Sequence, residues 1–297
     1  MIEYKEKRGI MEKLKTCRIS DLEIMKTVAL KVSNIMPGFC GVTIGGSRMN
    51  GLQDSESDAE MYFYTHEGAP KIELLDECLN NLGAEHKRCD SFLWENKMPW
   101  GPHSFFILDG LYFEIGYRNI ETYRSRIIDY KKGNVKSIED CHDLGLGYFP
   151  SALSSSVAHE IPFYNCNEEL MKLKSIAEHF DSNLLNSLKE EYFDTAISLL
   201  DGKLVAASNR EDYYFYESIS GRIMRCLMIM AFAINNEDFP GDKWNKQLLL
   251  KTNWKDAQMF LDLLKEHIQF VANSRNEFLE KREYLVEASK LVKKGLE

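Results

Sequence analysis

Asp58 and Glu60 stand two residues apart at the mouth of the apolar run MYFY, and Gly45-Gly46-Ser47 closes the apolar run before them, CGVTI. Successive side chains of a β-strand point to opposite faces, so carboxylates at i and i+2 share a face, about 7 Å apart along it. Two carboxylates held that way suit a divalent cation, and Mg²⁺ prefers oxygen donors from a few carboxylates together with substrate phosphates. The stretch before them suits the phosphate. Ser47 is expected to N-cap a short helix through Arg48, Met49 and Leu52, the N–H groups at such a start bind anions, and glycine lets a phosphate approach the chain. Gly46 and Ser47 are therefore the candidate cradle. Glu114 is the one charged residue in LYFEIGY, where a lone carboxylate is costly unless it meets a cation or a donor. A trio of Asp58, Glu60 and Glu114 around Mg²⁺ would supply that cation. Against this stand a plain polar turn for the glycines and a buried arginine as the partner of Glu114.

The elements that must position these residues follow from periodicity. Met11, Leu14, Ile19, Leu22, Met25, Val28, Leu30 and Val32 have helical spacing and end before Pro37-Gly38, which predicts one or two amphipathic helices. Short β-rich runs follow at Val42 to Ile44, Met61 to Tyr64, Ser104 to Leu108 and Leu111 to Tyr117, with helical spacing from Ile72 to Leu82. Asp109-Gly110 favours the positive φ angles of a type I′ turn, so the last two runs should form a hairpin. Residues 131 to about 166 read as a connection. Beyond it, helical spacing over Leu170 to Phe180, Leu184 to Leu200, Tyr213 to Ile234, Lys246 to Met259 and Phe260 to Leu296 predicts four to six helices. The expected architecture is an α/β domain over 1–150, a mixed sheet flanked by helices, followed by an all-α helical bundle over 151–297.

Composition narrows the chemistry further. Apolar residues are 44% and charged residues 28% of 297, as in a globular chain. The longest apolar run, CLMIMAFAI, is too short to cross a bilayer, and no signal-peptide pattern follows Met1, so a cytoplasmic protein without a membrane partner is expected. Cysteines 17, 40, 78, 89, 141, 166 and 226 are scattered without any CxxC, and the histidines show no HxH or HExxH, so neither a disulfide framework nor a zinc site is expected. A net charge of −9 with interleaved signs disfavours nucleic acid and leans toward a cationic small molecule. The aromatic residues Phe92, Trp94, Trp100 and Phe105, near Pro99 and Pro102, either line an acceptor cleft or cover a sheet face.

GGSRMNGLQDSESDAE resembles the signature of the DNA polymerase β-like nucleotidyltransferase superfamily, a Gly-Ser pair with Asp-x-Asp or Asp-x-Glu eleven residues after the serine. Ser47 and Asp58 have that spacing. SDAEM looks most like the aminoglycoside and lincosamide nucleotidyltransferases, and Ala231 to Trp244, AFAINNEDFPGDKW, is similar to a segment in the helical half of such enzymes. The specific motif covers about 20 residues, the architectural likeness most of the chain.

The resemblance implies that Gly46 and Ser47 hold the β- and γ-phosphates of ATP or another nucleoside triphosphate, that Asp58 and Glu60 bind Mg²⁺, two ions in all, and that Glu114 completes the metal site or takes the acceptor's proton. It also points to a general base on a helix of the second domain, for which EEYFDTAIS offers Glu191 and Asp194. Where such relatives carry a phosphate-binding lysine one turn later this chain has Ser198, and Lys243 is the alternative cation. The expected reaction moves a nucleoside monophosphate, AMP above others, to a hydroxyl of a small, cationic acceptor such as an antibiotic, releasing pyrophosphate. Two alternatives stand beside it: modification of a protein or RNA, as in toxin–antitoxin partners, and non-catalytic nucleotide binding. A homodimer is left open.

Overall fold

The computed structural model describes residues 17–54, 56–88, 100–136, 148–241 and 243–297. Met11, Leu14, Phe92, Trp94, Pro99, Cys89 and Cys141 lie outside the described residues. Contacts divide the chain into two compact units, one running to Ile128 and resuming over Ser156–Glu178, the other made of Asp129–Ser155 and His179–Glu297. The chain thus leaves the first unit and returns to it, whereas the sequence suggests a single division at 150.

The first unit contains α1 (Ile19–Ser33), β1 (Phe39–Ile44), the short helix α2 (Gly46–Met49), β2 (Ala59–Thr65), α3 (Ile72–Leu82), β3 (Glu85–Arg88), β4 (His103–Leu108) and β5 (Leu111–Asn119). After α4 (Ile120–Lys131) and α5 (Pro150–His159), it is completed by β6 (Ile161–Tyr164) and α6 (Glu168–Glu178). The six strands form one mixed sheet in the order β3-β4-β5-β2-β1-β6. Only β2 and β5 run parallel, with Glu60 opposite Glu114, Tyr62 opposite Gly116 and Tyr64 opposite Arg118; the other neighbours are antiparallel.

Alternation assigns the two faces. Ala59, Met61 and Phe63 of β2 and Phe113, Ile115 and Tyr117 of β5 share a core with Met25, Val28 and Val32 of α1 and Leu75 and Leu79 of α3. Glu60, Tyr62 and Tyr64 take the opposite face, because side chains two apart on a strand point the same way. The Asp109-Gly110 turn has φ of 50° and 75° and pairs Leu108 with Leu111, the hairpin that the dipeptide predicts.

Two expectations need correction. Residues 150–164 are not a connection: SALSSS belongs to α5, where Ser151, Ser154 and Ser155 are buried, and IPFY is β6, paired with β1. Serine and proline read as turn formers, but a small hydroxyl can be buried inside a helix and an edge strand tolerates proline. The second half also has more helices than four to six.

The second unit contains α7 (Ser182–Leu188), a π-helical turn (Lys189–Phe193), α8 (Asp194–Asp201), α9 (Lys203–Arg210), α10 (Tyr213–Ala233), α11 (Asn245–Leu249), α12 (Ala257–Gln269) and α13 (Arg275–Leu296). The π turn breaks the period over Leu184 to Leu200, where the sequence shows one helix, α9 lies between two predicted segments, and residues 270–274 split the last segment. Ile223, Leu227 and Met230 of α10 pack with Phe260 and Leu285 in the core of this unit. No helix among the described residues is long and apolar enough to cross a membrane.

Candidate metal and phosphate site

The structure brings the three carboxylates together. Oxygens of Asp58, Glu60 and Glu114 lie within 4.8 Å of one another, and all three residues are half-buried. The parallel register does this for Glu60 and Glu114, which sit directly opposite on β2 and β5. Asp58 precedes β2 by one residue and is placed by Arg48. That side chain, 3% exposed, donates from Nε to the Asp58 carbonyl at 3.0 Å and from Nη2 to the Ser57 carbonyl at 3.0 Å, while Nη1 lies 3.6 Å from Asp21. A buried guanidinium with several acceptors in a fixed fork holds the loop that carries the acid.

Gly45 and Gly46 are required by close approach. A Cβ on Gly45 would lie 2.2 Å from the Tyr62 ring, and one on Gly46 1.4 Å from Glu60 Oε2. Gly46 also has φ +59°, a conformation that side chains disfavour. The glycines thus bring the backbone against the acidic pair.

Ser47 departs from its expected role. The N-cap of α2 is Gly45, and Ser47 lies inside the first turn. Its Oγ is buried without a hydrogen-bond partner. A buried hydroxyl without a partner is costly, and a bound phosphate oxygen would satisfy it. An all-oxygen donor set beside an unsatisfied hydroxyl fits Mg²⁺ carrying phosphate, so the residues present fit the ion.

An imidazole stands beside Glu114. His103 Nε2 is 3.7 Å from Glu114 Oε1, and His103 Nδ1 lies 3.1 Å from the Gly101 carbonyl, to which it donates. Burial pushes the His103 pKa down to about 4, against the favourable backbone hydrogen bond. The charge of Arg118 adds to the effect of burial, and a neutral ring faces Glu114. The sequence reading missed His103, although the hairpin register that pairs Phe105 with Glu114 also pairs His103 with Gly116, on the same face.

Behind the acids, Arg118 stacks on Tyr62 at 3.4 Å from the ring centroid and pairs with Glu160. Glu160 Oε2 accepts from Thr43 and from Tyr64, each at 2.7 Å, and its Oε1 accepts from Ser156 at 2.6 Å. Around this buried pair Arg118 also donates from Nη1 to Tyr64 at 2.7 Å and from Nη2 to Ser156 at 3.2 Å, and such added hydrogen bonds offset part of the cost of burying the charges. Gly116 leaves room for Tyr62, since its Cβ would lie 2.7 Å from the ring.

Glu191, Asp194 and Lys243 belong to the helical unit. Asp194, whose side chain is 52% exposed, pairs with Lys189 at 3.1 Å. Glu191 lies in the π turn and Lys243 is exposed. Among the described residues of the segment Ala231 to Trp244 the buried charge is Asp238, which accepts from Tyr130 at 2.9 Å and from Lys131 at 2.7 Å. Trp100 and Phe105 are half-buried, and Phe105 stacks on Tyr112.

No protein-family model matches the sequence, and no curated protein matches it. Among solved structures the chain is similar to a nucleotidyltransferase-like protein from Exiguobacterium sibiricum 255-15, with a TM-score of 0.43 and 10% identity over 93% of this chain and 78% of that one. A likeness that loose identifies neither reaction nor ligand.

Proposed function

We propose that the chain is a Mg²⁺-dependent nucleotidyltransferase, moving a nucleoside monophosphate from a triphosphate to a hydroxyl. The observation that carries this reading is the convergence of Asp58, Glu60 and Glu114 on one rim of the sheet, against the Gly45-Gly46 backbone. Asp58, Glu60 and Glu114 would hold the metal, which when bound neutralises phosphate charge and polarises the α-phosphate. Gly46 gives the triphosphate a close backbone approach, and the Ser47 hydroxyl donates to one of its oxygens. Glu114, the acid beside neutral His103, accepts the proton of the attacking hydroxyl. Arg48 keeps Asp58 in place throughout.

The acceptor is a small molecule in this reading, recognised by the helical unit, with an aminoglycoside or lincosamide as the first class to try. That unit carries a groove of about 640 Å³ lined by Met224, Met228, Phe239, Leu261 and Ile268 with Arg225 and Asp262. Its size suits a drug-sized molecule. Asp194 is a further candidate base and Lys243 a further phosphate-binding cation.

The test measures pyrophosphate release with each nucleoside triphosphate against a panel of aminoglycosides and lincosamides. Release with at least one pair, abolished by Asp58→Ala, is expected. No release above that variant with any pair would remove the antibiotic acceptor. Labelled triphosphate incubated with lysate then separates the other readings, since label on macromolecules marks protein or RNA as the acceptor.

A further inference from the structure

The opposite end of the β1–β2 pair carries a second set of converging ligand atoms. Cys40 is near the start of β1, His66 directly follows β2, and Glu169 lies in the first turn of α6. Cys40 Sγ, a ring nitrogen of His66 and a carboxylate oxygen of Glu169 lie within 4.8 Å of one another. His66 Nε2 is 2.7 Å from Glu169 Oε2.

The backbone is tied at Cys40 and His66 and on both sides of Glu169. The His66 N–H donates to the Gly38 carbonyl at 2.9 Å, and the His66 carbonyl accepts from Asn119 Nδ2 at 2.6 Å. The Cys40 carbonyl accepts from the Asn167 N–H at 2.8 Å, and Asn167 Oδ1 accepts from the Leu170 N–H at 3.0 Å, at the start of α6. Three segments distant in sequence are therefore fixed side by side with their donors on one side.

We propose that Cys40, His66 and Glu169 bind a borderline-soft divalent cation of the zinc type. Thiolate sulfur, imidazole nitrogen and carboxylate oxygen are the donors that zinc takes, and three of them leave a fourth position for water. Ligand atoms around tetrahedral zinc stand about 3.5 Å apart, so the separations here need only side-chain adjustment. His66 and Glu169, whose side chains are 42% and 44% exposed, can make it, while Cys40, 1% exposed, is the fixed point. Binding breaks the Cys40 S–H bond, forms the sulfur–metal bond and releases one proton to solvent. Thiolate and carboxylate together neutralise the dication. The ion clips the end of β2 and the start of α6 to β1.

The test titrates the full chain with Co²⁺ under reducing conditions, because a cobalt–thiolate bond gives a near-ultraviolet charge-transfer band that oxygen ligands do not. One equivalent should develop the band, and Zn²⁺ should abolish it. Cys40→Ser and His66→Ala should each lose it, whereas Cys166→Ser and Asp58→Asn should keep it. Absence of a band in the unaltered chain, or its survival in either Cys40→Ser or His66→Ala, would overturn the proposal. His66 is half-exposed, so its variant keeps the test open if Cys40→Ser does not fold. The acidic trio can fail as a magnesium site without affecting any of these outcomes.

Discussion

At one end of the β1–β2 pair Asp58 and Glu60 meet Glu114 in an all-oxygen set, and at the other Cys40 meets His66 and Glu169 in a set of sulfur, nitrogen and oxygen. Both sets arise where the strand pair ends, because backbone pairing stops there and side chains from successive elements converge on an open rim. They differ in what holds them. The acidic end is braced from behind: Arg48 grips the carbonyls of Ser57 and Asp58, and Gly46 lies against Glu60 with no room for a methyl group. The sulfur end has one buried donor and two exposed ones. Donor hardness selects the ion at each end, and rigidity separates a site that must position a reacting phosphate from one that need only clip two segments.

The strongest way to break this comparison is to neutralise one end and watch the other. Asp58→Asn should lower pyrophosphate release by on the order of a thousandfold, the worth of several kcal/mol of charge stabilisation. Its cobalt–thiolate band should be unchanged. Cys40→Ser should show the reverse pattern, with transfer retained and the band lost.

The buried pair of Arg118 and Glu160 is tied to the middle of the strand pair through Thr43 and Tyr64. Glu160→Gln leaves Arg118 with an uncompensated buried charge, and chemical denaturation should show a loss of about 3–5 kcal/mol. A loss below about 1 kcal/mol would mean that the pair does not support the sheet. The next effect is smaller. Arg48→Met strips two carbonyls and buried Asp21 of a donor, so stability should fall by roughly 2–3 kcal/mol, with activity reduced and the cobalt band intact.

The helical unit supplies the smallest effect. His267 is fully buried, and its Nδ1 donates to the Lys281 carbonyl at 2.9 Å. Burial pushes its pKa below the usual 6.5. The unfolded chain therefore binds this proton more readily than the folded one, and stability falls as pH drops below 6.5 toward the lower folded value. The contribution is at most about 1.4 kcal/mol per pH unit. The difference between wild type and His267→Gln in denaturation at pH 7 and pH 5 measures it; equal pH dependence would show that the ring is not held neutral.

How much of this was legible in sequence depended on the range of the interaction. Ile72–Leu82 was readable as a helix with its observed bounds, and Asp109-Gly110 as a hairpin turn, because both signals are local. The acidic trio was readable because a lone Glu114 in an apolar strand is anomalous. His103 was within reach, since the hairpin fixes its register. The serines of α5 misled because burial, which a single sequence does not display, decides whether a hydroxyl caps, turns or packs. Arg48, Arg118 with Glu160, and the Cys40 set depend on strand order, which joins residues far apart in the chain.

The most direct measurement is calorimetric titration of the chain with non-hydrolysable nucleoside triphosphates in the presence and absence of Mg²⁺, with Asp58→Ala alongside. Binding that requires the ion and is lost in the variant is the expected result. Failure of every triphosphate to bind, or equal binding by Asp58→Ala, would contradict a triphosphate site at Asp58, Glu60 and Glu114.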